Sequence, residues 1–182
     1  MSKLESRQLM PEPPDNQENN QTGGDMVRSK LAAGALAGLA GGLVFGIMMQ
    51  MMSAPTPEGG KMPMMAMVAM VVRSDSLAVG WLYHLLNSAV IGALFGAVLG
   101  GRVHNTVGGI GLGTTWGFVW WILGGLILMP LFLGMPAFAP LQMPPMRMVA
   151  MGSLIGHLVW GMITGLAFAR LYAPSVRATT MI

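Results

Sequence analysis

The chain has 182 residues, of which 53% are hydrophobic and 9% are charged, whereas an average soluble domain carries about 25% charged residues. This composition excludes an ordinary soluble domain, and a net charge of +3 without a basic stripe excludes a nucleic-acid-binding protein. The chain contains no Cys, which excludes disulfides, thiolate metal sites and Cys nucleophiles.

The amino-terminal segment, residues 1–26, is polar. It holds Pro11, Pro13 and Pro14, followed by a run of amides and acids that begins at Asp15. Such a segment buries too little apolar surface to offset the entropy lost on ordering. We therefore predict a disordered tail at 1–26, a membrane domain at 27–173 and a short second tail at 174–182.

Four apolar stretches are long enough to cross a bilayer, because roughly 20 residues span about 30 Å of hydrocarbon. They cover residues 31–52, 77–101, 107–133 and 149–171. No charged residue lies between Asn105 and Met146. The sequence predicts an all-α membrane protein whose four transmembrane helices form two tandem hairpins.

Small residues recur at a spacing of four within the predicted helices. In membranes, such rows let helix backbones approach closely, since lipid provides little hydrophobic drive for helix association. We expect helix contacts at Gly34, Gly38, Gly42, Gly46, Ser88, Gly92, Gly96, Gly161 and Gly165. His84 and His157 each lie at the outer end of such a row, so both should face the bundle and not lipid.

The two hairpins share sequence features that indicate an internal duplication. Met67-Val-Ala-Met70 precedes the second span, and Met148-Val-Ala-Met151 opens the fourth. In each of these spans, a His stands eight residues before a Gly. We predict a parallel repeat with its axis along the membrane normal, which would place His84 and His157 at equal depth.

Lys and Arg predict the orientation. Seven of the ten lie before the first span, at the carboxyl-terminal end from Arg170 onward, or in the connection between the second and third spans, whereas Lys61, Arg73 and Arg147 lie on the opposite side. By the positive-inside bias, both termini are cytoplasmic and the other two connections face outward. The first outward connection contains the apolar residues 62–72, for which we predict a re-entrant or interfacial helix. The second, residues 130–146, contains several Pro, and we predict an irregular segment packed on the bundle.

The outer connections concentrate Met, since fifteen of the twenty lie in residues 48–70 and 129–151. Thioether sulfur is a soft ligand that suits Cu(I), and neutral imidazole complements it. The candidate metal ligands are His84, His157, Met62, Met64, Met67, Met143, Met146 and Met148. Met is also a flexible gap-filler, so packing predicts the same enrichment.

The two His allow further interpretations. They could ligate a haem between the second and fourth spans, or each could hydrogen-bond a carbonyl or a neighbouring side chain such as Gln50 or Asn87. Because no carboxylate lies within the predicted spans, neither a Ser/His/Asp site nor a proton-coupled carrier is expected. We expect no enzymatic activity.

The run of nine residues from His84 (HLLNSAVIG) and the run from His157 (HLVWGMITG) resemble helices of small bacterial four-span membrane proteins of unknown function. The resemblance covers residues 30–172 at most. It implies a bacterial cytoplasmic membrane location and no established activity.

Together these features predict a structural or accessory membrane protein that presents a Met-rich outer face to a ligand or partner, such as a larger membrane complex or a second copy of the chain. The first alternative is a Cu(I)-handling membrane protein. The second is a channel or carrier for small neutral solutes, since glycine-lined bundles can pass them.

Overall fold

The computed structural model describes residues 16–56 and 59–179, with side chains described for residues 23–56 and 59–172. Over this part, the chain is an all-α membrane protein, as predicted, with four helical segments long and apolar enough to cross a bilayer. The segments are Gly23–Met51, Leu77–Arg102, Thr106–Phe132 and Pro144–Tyr172. They match the four predicted spans to within a few residues, except that the first and last begin earlier.

The elements follow one another as helix α1 (Asn16–Met51), strands β1 (Ser53–Pro55) and β2 (Lys61–Pro63), and helices α2 (Met64–Val71), α3 (Leu77–Leu99), α4 (Thr106–Trp120), α5 (Met129–Phe132), α6 (Ala139–Gln142) and α7 (Arg147–Thr179). Short 3-10 turns occupy Gly100–Arg102 and Pro144–Met146. A π-helical segment, Trp121–Leu128, continues α4 into α5.

Both terminal helices are longer than predicted. Helix α1 begins at Asn16, inside the segment predicted as a disordered tail, and α7 continues to Thr179. Extending a helix that already exists adds one hydrogen bond per residue without a new nucleus, so polar residues can continue an apolar span. Residues 1–15 and 180–182 of the predicted tails lie outside the described residues.

The long helices are packed in the order α3, α1, α7, α4. Helix α1 packs against both α3 and α7, and α4 packs against α7. Helices α3 and α4 are consecutive in the chain but make few contacts with each other. The space between them is therefore free to hold a cavity.

Small residues set the distance between helices within each hairpin. A Cβ added to Gly34 or Gly38 on α1 would meet the backbone of Gly92 or Ser88 on α3. The other predicted packing residues also lie at close contacts: Gly42 beside Ser88, Gly46 beside Trp81, Gly96 beside Lys30, Gly161 beside Gly113, and Gly165 beside Gly109. These contacts are the ones that small-xxx-small rows make in membranes.

One end of the bundle, here called the turn end, contains residues 100–105 and the aromatic core nearest to them. The rings of Phe95 and Phe168 meet edge to face at 5.5 Å, and Phe168 stacks on Tyr172 at 5.2 Å. Lys30 on α1 places its Nζ 5.9 Å from the Tyr172 ring centroid. The beginning of the first span and the end of the fourth therefore lie together at the turn end.

The opposite end, here called the methionine end, carries β1, β2, α2, α5 and α6. Strands β1 and β2 form a short antiparallel hairpin that the sequence did not predict, with Ser53 opposite Pro63. Helix α2 lies within the segment predicted as an interfacial helix, but five of its eight residues are buried in protein, including Met64, Met65 and Met67. The predicted irregular segment contains α5, α6 and a 3-10 turn, and it packs on the bundle through buried Pro130, Ala139, Pro140 and Met146.

The face of α3 opposite its small residues is apolar and exposed. Its exposed side chains are Leu82, Leu86, Val90, Leu94 and Val98. Their spacing of four places them on one side of the helix. An exposed apolar row of this length is expected where lipid is the solvent.

Candidate functional site: a cavity lined by two histidines

His84 and His157 both face the interior of the bundle, as predicted. His84 lies on α3 and His157 on α7, and the intervening α1 contributes Phe45, whose ring contacts both imidazoles edge to face. The centroid distances from Phe45 are 5.5 Å to His84 and 4.7 Å to His157. The helix order α3, α1, α7 thus brings together two His that are 73 residues apart in sequence.

Backbone carbonyls fix the two imidazoles in different tautomers. His84 donates from Nε2 to the carbonyl of Gly42 at 2.8 Å, and His157 donates from Nδ1 to the carbonyl of Ser153 at 2.8 Å. Because a carbonyl oxygen can only accept, the neutral rings keep their lone pairs on Nδ1 of His84 and Nε2 of His157. This arrangement agrees with the interpretation in which each imidazole hydrogen-bonds a carbonyl. Gln50 instead accepts a bond from Trp81.

A cavity of about 310 Å³ lies in the gap between α3 and the π-helical segment after α4. Small-molecule sites in proteins typically measure about 300–1,000 Å³ and combine apolar walls with a few polar groups. Both His line this cavity, as do Asn87 and Ser153, and the rest of its wall is mainly aromatic or aliphatic. We refer to it as the histidine cavity.

The π-helical segment provides the glycine wall of this cavity. Gly124 and Gly125 lie in that segment, and a Cβ added to Gly124 would approach only the Trp120 ring, at 3.9 Å. Pro130 follows the segment and has no N–H to donate to the carbonyl of Leu126. The N–H of Phe138 bonds that carbonyl instead, at 2.7 Å. The irregular helix is thus held by a contact from the following connection, and short π segments are frequent at functional sites.

The histidine cavity opens sideways, toward the lipid-facing surface. Four of its lining residues are exposed apolar side chains: Val90 and Leu94 on α3, Leu128 in the π segment and Phe132 on α5. A molecule dissolved in the bilayer could therefore reach the two His without passing through the bundle.

Trp120 lines the histidine cavity and carries an unsatisfied donor. Its Nε1 is buried and has no hydrogen-bond partner, the single such side-chain atom in the described part of the chain. The other four indoles donate to Gln50 Oε1 or to backbone carbonyls at 3.2–3.3 Å. Because an unpaired buried N–H is costly, a ligand with an acceptor atom would gain affinity by pairing with this donor once the indole turns toward the cavity.

A second, smaller cavity of about 30 Å³ lies beside the histidine cavity at the methionine end. Five Met side chains line it: Met64, Met67, Met129, Met135 and Met146. Met64, Gly125, Met129 and Ser153 line both cavities. We refer to the smaller one as the thioether cavity.

The structure divides the predicted metal ligands into three groups. Met64, Met67 and Met146 meet at the thioether cavity, whereas both His lie at the histidine cavity. Met62 is half-buried against the core of the methionine end. Met143 and Met148 are 46% and 79% exposed and line neither cavity. The predicted ligands therefore do not form one site.

Met129 and Met135 were not among the predicted ligands, although both lie in the Met-rich window 129–151. Across the described residues, no group of three or more His, Asp or Glu is placed to hold a metal. A haem ligated by both His would have to displace Phe45, which contacts both rings and is itself buried.

Comparisons of the chain with protein-family models, curated proteins and solved structures found no match.

Proposed function

We propose that this chain is a non-catalytic membrane protein that binds a small, neutral, mainly apolar molecule from the bilayer in the histidine cavity. The observation that carries the proposal is a mainly apolar cavity that opens toward lipid and has in its wall the Trp120 indole, whose buried N–H lacks a partner. Apolar walls would hold the body of such a molecule, and a few polar groups would fix its orientation.

The polar groups favour a ligand with carbonyl acceptors. The Asn87 amide supplies donors on the α3 wall, and Trp120 would add its unpaired N–H by turning its indole toward the ligand. No Lys, Arg, Asp or Glu lines the cavity, which favours a neutral molecule. Phe45 and Trp160 provide aromatic surface for a flat ring. A lipid-soluble quinone combines these properties, and we take it as the ligand class.

The same proposal includes a location. The resemblance to small bacterial four-span proteins favours the bacterial cytoplasmic membrane, and the distribution of Lys and Arg favours cytoplasmic termini. The histidine cavity would then lie in the outer half of the bilayer, next to the outward methionine end. A bilayer ligand would enter it from the side.

The test is quinone binding by the purified full-length protein in lipid nanodiscs, measured by calorimetry with a short-chain quinone. We expect saturable binding of one quinone per chain. Trp120→Phe should weaken the affinity about tenfold, because one net hydrogen bond contributes about 1 kcal/mol and 1.4 kcal/mol corresponds to a factor of ten. Without ligand, this variant should melt at the same temperature as the wild type or higher, since it removes an unpaired donor.

Trp121→Phe is the matched control. The Trp121 indole donates to the carbonyl of Ala150 and does not line the histidine cavity, so its loss should lower stability and leave quinone affinity unchanged. Gly124→Leu should block binding by filling the cavity. The proposal fails if quinone does not bind saturably, or if Trp120→Phe binds as tightly as the wild type.

A further inference from the structure

The thioether cavity has the ligands of a soft-metal site and the size of a single ion. Its volume of about 30 Å³ exceeds the roughly 10–15 Å³ that one water needs. A water requires two to four polar partners, whereas Ser153 is the single hydroxyl-bearing residue in the wall and the other side chains are apolar, aromatic or thioether. The wall is therefore poorly suited to water and to hard cations.

The lack of charge in the wall further restricts which ion can bind. No residue that lines the thioether cavity carries a charge, so a divalent cation would be desolvated there without a counter-charge. A monovalent cation suffers a smaller penalty. Cu(I) and Ag(I) are monovalent, and Cu(I) is the ion for which thioethers are suitable ligands.

The five Met come from separate parts of the chain. Met64 and Met67 lie on α2, Met129 on α5, Met135 in the following loop and Met146 in the 3-10 turn before α7. Met has three rotatable side-chain bonds and adapts readily, so its sulfur can turn into the cavity without backbone movement. An ion held here would join both outer connections.

We infer that the thioether cavity binds one Cu(I) or Ag(I) ion through sulfur atoms drawn from Met64, Met67, Met129, Met135 and Met146. The site lacks His84, His157, Met62, Met143 and Met148, which the sequence suggested, and gains Met129 and Met135. It does not depend on the proposed quinone binding, because Met67, Met135 and Met146 do not line the histidine cavity.

The experiment compares two triple variants of the full-length protein in nanodiscs. The first, Met67→Leu with Met135→Leu and Met146→Leu, removes sulfur from the thioether cavity alone. The second, Met70→Leu with Met143→Leu and Met148→Leu, removes the same number of sulfur atoms from exposed positions. Leu is close to Met in volume, so both variants should fold.

Anaerobic titration with Cu(I) against a competing chelator should give one tightly bound ion in the wild type and in the exposed-position variant. The cavity variant should bind at least tenfold more weakly. Ag(I), which is redox-inert under these conditions, should raise the melting temperature of the wild type and not that of the cavity variant, since a ligand that binds the folded state stabilises it. Equal Cu(I) affinity in the two triple variants would overturn the inference.

X-ray absorption of the Cu(I)-loaded wild type provides a second measurement that does not depend on a variant folding. We expect sulfur scatterers alone, and imidazole nitrogen in the first shell would contradict the assignment. Trp120→Phe should retain full Cu(I) affinity, and the cavity triple variant should still bind quinone. These two results separate failure of the metal site from failure of the proposed function.

Discussion

The two ends of the bundle are packed in different ways. Toward the turn end, helices meet backbone to backbone: Gly34 lies against Gly92, and Gly109 lies against Gly165. At the methionine end, the core consists of side chains, and Met is its commonest residue. Both cavities lie beside that core.

This difference assigns helix packing to the glycine contacts and space for ligands to the methionine end. Since lipid is as apolar as the helix surfaces, close backbone contact provides the packing that holds the hairpins together. The methionine end has less need of that contact and can leave room for ligands, because flexible thioethers adapt to irregular spaces. Substitutions at the two ends should therefore have different consequences.

The largest effect of an added side chain is expected at a glycine contact. Gly113→Leu places a side chain against the backbone of Gly161 and Gly165, and relieving that overlap requires α4 and α7 to separate. Overpacking in a tight core costs about 1–3 kcal/mol and occasionally more, and backbone overlap should reach the upper end. The measurement is the free energy of unfolding in mixed micelles.

Gly111→Leu is the control on the same helix. A Cβ at Gly111 meets nothing within 4 Å, and replacing Gly by a better helix former gains up to about 1 kcal/mol. Gly111→Leu should therefore be neutral or stabilising. Equal destabilisation by both substitutions would contradict the assignment of packing to backbone contact.

Hydropathy and residue spacing were sufficient to predict the four spans, the small-residue contacts and the inward orientation of His84 and His157. These features depend on residues of one helix at a time. The role of Phe45 could not be predicted in this way, because its contact with both His requires the helix order α3, α1, α7, α4. The same is true of Trp120, whose missing partner is a property of the whole fold.

The π-helical segment was also missed, for a local reason. Residues 121–128 are uniformly apolar apart from Gly124 and Gly125, and such a run has the same pattern in an α-helix and in a π-helix. Two adjacent glycines followed by Pro130 were the available signal of a weakened helix. The positions of Met in the sequence predicted that these residues cluster at one end. They did not distinguish buried Met67 from exposed Met148, because that distinction depends on the fold.

A smaller effect is expected at the methionine end when the volume is preserved. Met65 is fully buried, and Met65→Ala should cost about 2–5 kcal/mol through the cavity it creates. Met65→Leu keeps the volume and should cost less than about 1.5 kcal/mol. Thermal unfolding of both variants tests whether the stability of this end depends on the volume of the Met65 side chain and not on its sulfur atom.

Met148→Ala serves as the exposed control, since its side chain is 79% exposed and surface substitutions usually stay within about 0.5 kcal/mol. If Met65→Leu proved as damaging as Met65→Ala, the thioether at this position would have a role that packing does not explain.

The smallest effect is expected at the beginning of α4, at the turn end. Asn105 caps this helix by accepting the N–H of Gly108 on its Oδ1 at 2.8 Å, and loss of such a cap costs about 1 kcal/mol. Asn105→Ala should lower the unfolding free energy by that amount, while Asn105→Asp should retain most of the stability because its carboxylate can accept the same bond. Neither variant should change quinone or Cu(I) affinity, since Asn105 lies at the opposite end from both cavities. A change in either affinity would show that the two ends are coupled through α4, whose π-helical continuation lines both cavities.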